Sequence, residues 1–348
     1  MATVELVVCL GFPALHDERY VAALRALPGV EPVILPVDPN AEWLTVNPGE
    51  PHAEPPPWAG GVADARRAAL GRAQALVALH TPRDLLELAP SLRWIQGCGA
   101  GVEQFALAGV TRERTVVTNV SGVSAGSMAE WVVGRLLQVW KRFREADAHQ
   151  HEHTFTRTYG RTLAGSTIGI IGLGHIGRAV SQRARAFGCR VLASKRSAAP
   201  GASSEHADQL YPPHQLHEMI ARCDAVIVSA PATPETRHLI DAEALAAMQP
   251  HAVLVNVARG SLVDEVALAK AIEAGEIGAA VLDVFDQEPL QSDSPLWDLP
   301  GVYLSAHSSV SVDRYVDDVF RIVLENVERR LAGRPLRNTV DMKALGFA

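Results

Sequence analysis

The sequence predicts an α/β protein built on doubly wound parallel sheets in two domains. Three observations predict it. Short runs of Val, Ile and Leu recur without in-and-out alternation, as strands covered on both faces do. Amphipathic helical stretches alternate with them in the rhythm of a parallel sheet. The 348 residues, at about 150 per domain, are enough for two cores.

Composition narrows the classes further. Hydrophobic residues make up 48% and charged residues 20%, a globular balance that excludes disorder and fibrous repeats. The net charge is −7 and no long basic block offsets it, which argues against broad binding to nucleic acid or to an anionic membrane. Cys9, Cys98, Cys189 and Cys223 lie far apart, without the paired spacing of a zinc or redox site, and predict a reducing compartment. The start lacks a basic segment ahead of its short apolar run, and no stretch approaches ~18 uninterrupted apolar residues. A cytoplasmic protein is expected.

Taken in order, residues 4–10 read as a first buried strand. The proline-rich stretch 36–57, with Pro55-Pro56-Pro57, reads as a surface insertion. A helix over 63–74, a strand over 75–79 and a short helix over 85–88 lead to Leu92-Arg93-Trp94-Ile95-Gln96. From Ser124 to about Phe143, Met128, Trp131, Val132, Leu136, Leu137 and Trp140 mark a long amphipathic helix, with Ser127 and Glu130 spaced as a capping box. His149, His151 and His153 alternate as metal ligands can. No Cys or carboxylate framework surrounds them, so a solvated connector without metal is expected. Strands follow at 167–171, 190–193, 225–229, 252–257, 279–284 and 302–305. A last helix, 312–331, comes after this sheet and can pack back on the N-terminal part. That gives a discontinuous domain, 1–120 plus 308–348, around a second one, 121–307.

The strand at 167–171 runs into Gly172-Leu-Gly174-His175-Ile176-Gly177, and a helix follows. Glycines there allow a tight turn, close approach of backbone to a pyrophosphate and close packing of helix on strand, while the helix N-terminus stabilises the anion. With a second strand ending near residue 193, this is the setting that a dinucleotide site requires. Where an acid normally meets the ribose hydroxyls stands Ser194-Lys195-Arg196-Ser197, with Lys195 18 residues past Gly177. A carboxylate would repel the 2′-phosphate of NADP, whereas Lys and Arg can pair with it. NADP(H) is therefore expected to be preferred, with NAD(H) possible.

Ligands of such a sheet bind beyond the carboxyl ends of its strands. Arg259, Glu288 and His307 each follow a strand run, 29 and 19 residues apart, and can meet at one edge. Singly they read equally well as a surface charge, a turn residue and a satisfied histidine. Beside a dinucleotide site they match what hydride transfer to a 2-oxo acid needs: a proton donor, a cation for carboxylate and carbonyl, and an acid to tune the donor.

With these residues in view, the chain resembles the D-isomer-specific 2-hydroxyacid dehydrogenase family from about Leu88 to Val340. The resemblance is carried by Met128-Ala129-Glu130, Gly172 to Gly177, Pro231-Ala-Thr-Pro-Glu-Thr236, Asn256-Val-Ala-Arg259-Gly260 with Asp264-Glu265, Leu282-Asp283-Val284-Phe285, Glu288-Pro289-Leu290 and His307. It implies two Rossmann-like domains, a cofactor domain inserted into a flavodoxin-like substrate domain, with the active site in the cleft and a homodimer built on the helix near Met128. Carried over by position, Arg259 binds the carboxylate and carbonyl of a small 2-oxo or 2-hydroxy acid, His307 is the general acid and base, and Glu288 is its partner. The Gly99-Ala100-Gly101 loop offers backbone N–H groups of Ala100 and Gly101 to the carboxylate. Ala230, Pro231, Thr236, Val257 and Ala258 line the cofactor groove, and Asp283 faces the nicotinamide carboxamide.

Two departures stand out: Ser305-Ala306 where the family has Thr-Pro before the histidine, and Ser308-Ser309 where it has an apolar residue and Gly. The basic 194–197 segment, together with the expectation of no C-terminal regulatory domain, is more similar to glyoxylate and hydroxypyruvate reductases than to phosphoglycerate dehydrogenases. Glu288, where formate dehydrogenases carry Gln, disfavours that group. The expected activity is NADPH-dependent reduction of a small 2-oxo acid to the D-2-hydroxy acid. The alternatives are a dinucleotide-sensing, co-repressor-like protein on the same fold and a reductase of bulkier 2-oxo acids.

Overall fold

All strands among the described residues run parallel to their neighbours, in one sheet of five and one of seven. The structure, a computed structural model, describes residues 5–36, 63–81, 84–110 and 114–342. By contact density the chain divides into Met1–Val123 with Val312–Ala348, and Ser124–Ser311.

The first unit contains β1 (Leu6–Leu10), α1 (Glu18–Arg25), β2 (Val30–Ile34), α2 (Ala63–Arg72), β3 (Ala75–Ala78), α3 (Leu85–Leu88), β4 (Trp94–Gly97), α4 (Glu103–Leu107) and β5 (Val116–Thr118). Its sheet has the order β2-β1-β3-β4-β5, the doubly wound order of flavodoxin-like folds. Pro32, which has no N–H to give, falls in β2 at the sheet's edge. Most of the stretch 36–57 lies outside the described residues.

The second unit contains α5 (Ala125–Trp140), α6 (Phe143–His151), β6 (Thr167–Ile171), α7 (His175–Ala186), β7 (Arg190–Ser194), β8 (Gln209–Tyr211), α8 (Leu216–Ile220), β9 (Ala225–Val228), α9 (Ala242–Ala247), β10 (Val253–Asn256), α10 (Glu265–Glu273), β11 (Ala279–Leu282) and β12 (Val302–Leu304). The order β12-β11-β10-β9-β6-β7-β8 reverses direction between β9 and β6, which makes that junction the switch point where a Rossmann sheet binds its ligand. The apolar runs account for the strands, since β9, β10 and β11 are buried at every residue. Each such Val, Ile or Leu contributes about 1.5–3 kcal/mol. At the amino ends, the Asp224 carboxylate ties β6 to the approach of β9. It accepts the Thr167 amide at 2.7 Å and an Arg161 N–H at 2.8 Å, with His251 Nε2 also 2.8 Å away.

The last helix, α11 (Tyr315–Leu331), returns to the first unit, where Val319, Phe320, Val323 and Val327 join Leu6, Val8 and Leu10 in one apolar core. Buried Asn326 ties it down by donating to Gln96 Oε1 at 2.8 Å and accepting the Arg337 amide at 2.7 Å.

Several details differ from the sequence-based expectation. The long helix ends at Trp140 because Arg142 adopts φ 56°, and α6 starts afresh. His149 and His151 therefore ride on a helix, not a connector. Among the described residues no cluster of His, Cys, Asp and Glu is placed to hold a metal ion. The expected capping box is absent: Ser127 donates to the Ser124 carbonyl, and Glu130 pairs with Arg183 of α7 at 2.8 Å. The three-residue β8 is too short to show as an apolar run. Among the described residues no helix is long and apolar enough to cross a membrane.

At the open edge of the larger sheet, Arg144 donates to the Val302 carbonyl at 3.2 Å and Arg135 to the Leu304 carbonyl at 3.3 Å. These are alternate carbonyls of β12.

Candidate active site

The glycine turn sits at the switch point. Gly172 leaves β6 with φ 94°, and a Cβ there would fall 2.7 Å from the Ala230 backbone just past β9. At Gly177 a Cβ would fall 2.2 Å from the Gly172 carbonyl oxygen, so helix and strand touch only because both residues lack one. Gly174 is different: a Cβ there meets nothing within 4 Å, and as the N-cap of α7 it brings no side chain to the amides of His175 and Ile176. The opening leaves room for an anion at a helix start.

Ser194, at the end of β7, is buried and accepts the Gly172 amide at 3.0 Å, while Lys195, Arg196 and Ser197 are exposed on the turn beyond it. Glu235 lies within reach of this basic turn. A Thr233 hydrogen bond, its own amide and the Arg196 charge hold its carboxyl below the usual range. In the 230–236 turn the Thr236 hydroxyl donates to the Pro231 carbonyl at 2.9 Å and accepts the Thr233 amide at 2.8 Å. Val257 and Ala258 follow β10 and are buried, with the Ala258 amide donating to Asn256 Oδ1.

Beyond the carboxyl ends of β10, β11 and β12 the structure brings the three expected side chains of this unit together. His307 Nδ1 lies 2.8 Å from Glu288 Oε2. A carboxylate can only accept, so the proton is on Nδ1 and Nε2 is the ring atom left to exchange one. The other Glu288 oxygen accepts the Phe285 amide at 3.0 Å. Burial pushes the Glu288 carboxyl up, but the His307 hydrogen bond and charge, the Phe285 amide and the nearby Arg259 together hold it below the usual carboxylate range. The Asn256 side-chain amide fixes the Arg259 backbone by donating to its carbonyl at 2.9 Å, and the Arg259 guanidinium donates to the Ala258 carbonyl at 2.8 Å.

Asp283 organises the histidine's segment. Its buried carboxylate accepts the Ser305 hydroxyl at 2.7 Å, the Ser308 amide at 2.8 Å and the Ser309 amide at 3.1 and 3.2 Å, while its carbonyl accepts the His307 amide at 2.8 Å. These bonds hold His307 at φ 49°, a left-handed conformation that costs a β-carbon residue about 1–2 kcal/mol. The clamp was not foreseen. The signal for it was a charged residue at the end of the apolar run 279–284, which needs partners when buried.

Ala100 and Gly101 belong to the first unit, in the turn after β4. The Ala100 carbonyl accepts the Asn119 side-chain amide at 2.7 Å, and a Cβ at the neighbouring Gly99 would fall 3.2 Å from Leu79 Cδ1.

A family model for the NAD binding domain of the D-isomer specific 2-hydroxyacid dehydrogenases matches residues 133–309, half of the chain. The chain belongs to the D-isomer specific 2-hydroxyacid dehydrogenase family. Among relatives of this chain, a D-3-phosphoglycerate dehydrogenase of Mycobacterium tuberculosis is 37% identical over 280 residues, 79% of this chain and 52% of that one. The chain thus spans about half the length of the phosphoglycerate dehydrogenases it matches. A glyoxylate reductase of Thermococcus gammatolerans is 36% identical over 67% of this chain and 72% of its own. Among solved structures, an NADPH-dependent glyoxylate/hydroxypyruvate reductase of Sinorhizobium meliloti, in complex with NADP and sulfate, superposes with a TM-score of 0.77 at 26% identity, covering 99% of this chain and 100% of that one. The open cradle at Gly174 and the switch-point setting fit a nicotinamide dinucleotide in this member of the family.

Proposed function

We propose that this family member is an NADPH-dependent reductase of a small 2-oxo acid, of the glyoxylate or hydroxypyruvate type, yielding the D-2-hydroxy acid. The observation that carries it is the 2.8 Å contact between His307 Nδ1 and Glu288 at the edge where Arg259 also sits. When bound, the dinucleotide supplies the hydride. Glu288 holds the imidazole by Nδ1, so Nε2 is the ring atom that can give a proton to the oxygen that becomes the hydroxyl. Arg259 neutralises charge on the carboxylate and carbonyl and orients the carbon between them. The Ala100 and Gly101 amides add donors to the carboxylate.

For the coenzyme, the amides at Gly174, His175 and Ile176 take the pyrophosphate, with Gly172 and Gly177 setting the turn. Lys195 and Arg196, flanked by Ser194 and Ser197, take the 2′-phosphate. Ala230, Pro231, Thr236, Val257 and Ala258 line the groove, and Asp283 keeps the histidine's segment next to the nicotinamide. Two copies pair through α5, and the protein works in the cytoplasm, a setting that its free buried thiols fit.

A second reading, oxidation of a phosphorylated hydroxy acid, is favoured by the 37% identity to phosphoglycerate dehydrogenases. The test is steady-state assay of glyoxylate, hydroxypyruvate and bulkier 2-oxo acids with NADPH and NADH, beside 3-phosphoglycerate with NAD. Fastest turnover of a small 2-oxo acid with NADPH is expected. Turnover of 3-phosphoglycerate alone would install the second reading. Binding of dinucleotide without turnover of any acid would make the chain a sensor.

A further inference from the structure

Glu265 opens α10, yet the helix already has its cap, since Asp264 accepts the Val266 and Ala267 amides. The Glu265 side chain does something else. Its Oε1 accepts the Asp286 amide at 2.7 Å, across 21 residues of chain. One residue earlier, the Phe285 amide donates to Glu288 itself at 3.0 Å. Two carboxylates thus hold consecutive amides of the turn that carries Glu288. The same peptide rests against Gly260, next to Arg259, where a Cβ would fall 1.7 Å from the Phe285 carbonyl carbon and 2.1 Å from the Asp286 nitrogen.

This placement is unfavourable for the carboxyl. Burial pushes it up from its ordinary value, the Asp286 amide acts against that, and the charges of Asp286, Glu288 and Asp264 add repulsion. The balancing cations reach the neighbours: Arg237 lies 3.3 Å from Asp286, and His307 and Arg259 act on Glu288. A carboxyl kept among like charges, with Oε1 turned to the Asp286 amide, points to a role at that amide.

We infer that Glu265 is a positioning residue, whose carboxyl oxygen fixes the 285–288 turn and so sets the Glu288 carboxylate against His307. This rests on Glu288 and His307 being the acid–base pair. Misplacement of reacting groups by about 1 Å can lower rates ~10²-fold; a hydrogen bond that only anchors the turn should be worth less than that, about 10-fold.

The test compares Glu265→Ala with Glu265→Gln, whose amide oxygen can accept the same N–H without charge. Glu265→Ala should lower kcat by about 10-fold while leaving KM for the 2-oxo acid within about twofold, and Glu265→Gln should restore most of the loss. If thermal melts find Glu265→Ala unfolded, Glu265→Asp, one methylene shorter with the charge kept, carries the same expectation. A second readout needs no turnover: the ¹⁵N resonances of the His307 imidazole, assigned with His307→Gln, should move in Glu265→Ala and stay in place in Glu265→Gln. That separates failure here from failure of the proposed activity, because the resonances report the pair even if no 2-oxo acid is reduced. Unchanged kcat and resonances in Glu265→Ala, or equal damage in Glu265→Gln, would overturn the assignment.

Discussion

The Ser305 hydroxyl donates to the Asp283 carboxylate at 2.7 Å, the first bond of the clamp that fixes His307 two residues on. Ser305→Ala should lower stability by about 1–3 kcal/mol, the penalty for leaving a buried acceptor one partner short. Asp283→Ala, which releases three donors at once, should lower kcat more than Ser305→Ala does. Urea melts beside kcat check the ranking, and a fully active Asp283→Ala would remove the clamp from catalysis.

His307→Gln keeps a side chain able to hydrogen-bond to Glu288 but cannot act as an acid near neutral pH. A fall in kcat of at least ~10² is expected, with dinucleotide Kd unchanged. Near-normal turnover would mean that another group delivers the proton.

Arg259→Lys preserves charge and loses the planar fork. kcat/KM for 2-oxo acids should drop by about 10-fold or more, because a point charge cannot hold carboxylate and carbonyl together. Steady-state kinetics in which Lys matches Arg would place the substrate elsewhere.

Lys195 and Arg196 are exposed past the end of β7, clear of the buried Ser194. Replacing both with Ala should lower kcat/KM for NADPH at least ~10-fold relative to NADH, since each charge-assisted bond to a phosphate is worth about 1.5–3 kcal/mol. An unchanged ratio would show that the 2′-phosphate lies away from this turn.

Asp224 gives a prediction in pH. Burial alone would raise its carboxyl, but the Thr167 amide, Arg161 and His251 hold it below the ordinary value. The unfolded chain therefore takes up the proton first, near pH ~3.9. The contribution is whole above that pH and is lost as pH falls through it toward the folded value. Thermal melts from neutral pH to pH ~3 should decline less steeply for Asp224→Asn than for the parent, with the variant the less stable at neutral pH. Parallel curves would contradict the sign.

How much of this was legible in sequence depended on the length of each signal. The strand at 167–171 and the glycines after it declare themselves locally, because backbone sterics at Gly172 and Gly177 act within a few residues. Arg259, Glu288 and His307 could be found because a parallel sheet delivers every strand end to one edge. What stayed hidden was chosen by tertiary contact: Glu130 reads as a capping-box acid until Arg183 claims it, and the left-handed Arg142 ends a helix whose apolar spacing runs on. The Asp283 clamp and the Glu265 contact join residues more than twenty apart, and no periodicity encodes such pairs.

The guanidinium groups of Arg135 and Arg144, seated on the Val302 and Leu304 carbonyls of β12, occupy acceptors that another chain would need in order to zip onto that margin. A seven-stranded sheet with a bare border is a template for its own propagation. Two cations on neighbouring helices turn that border into a terminus, so replacing both with neutral side chains would create a variant prone to self-association through its backbone.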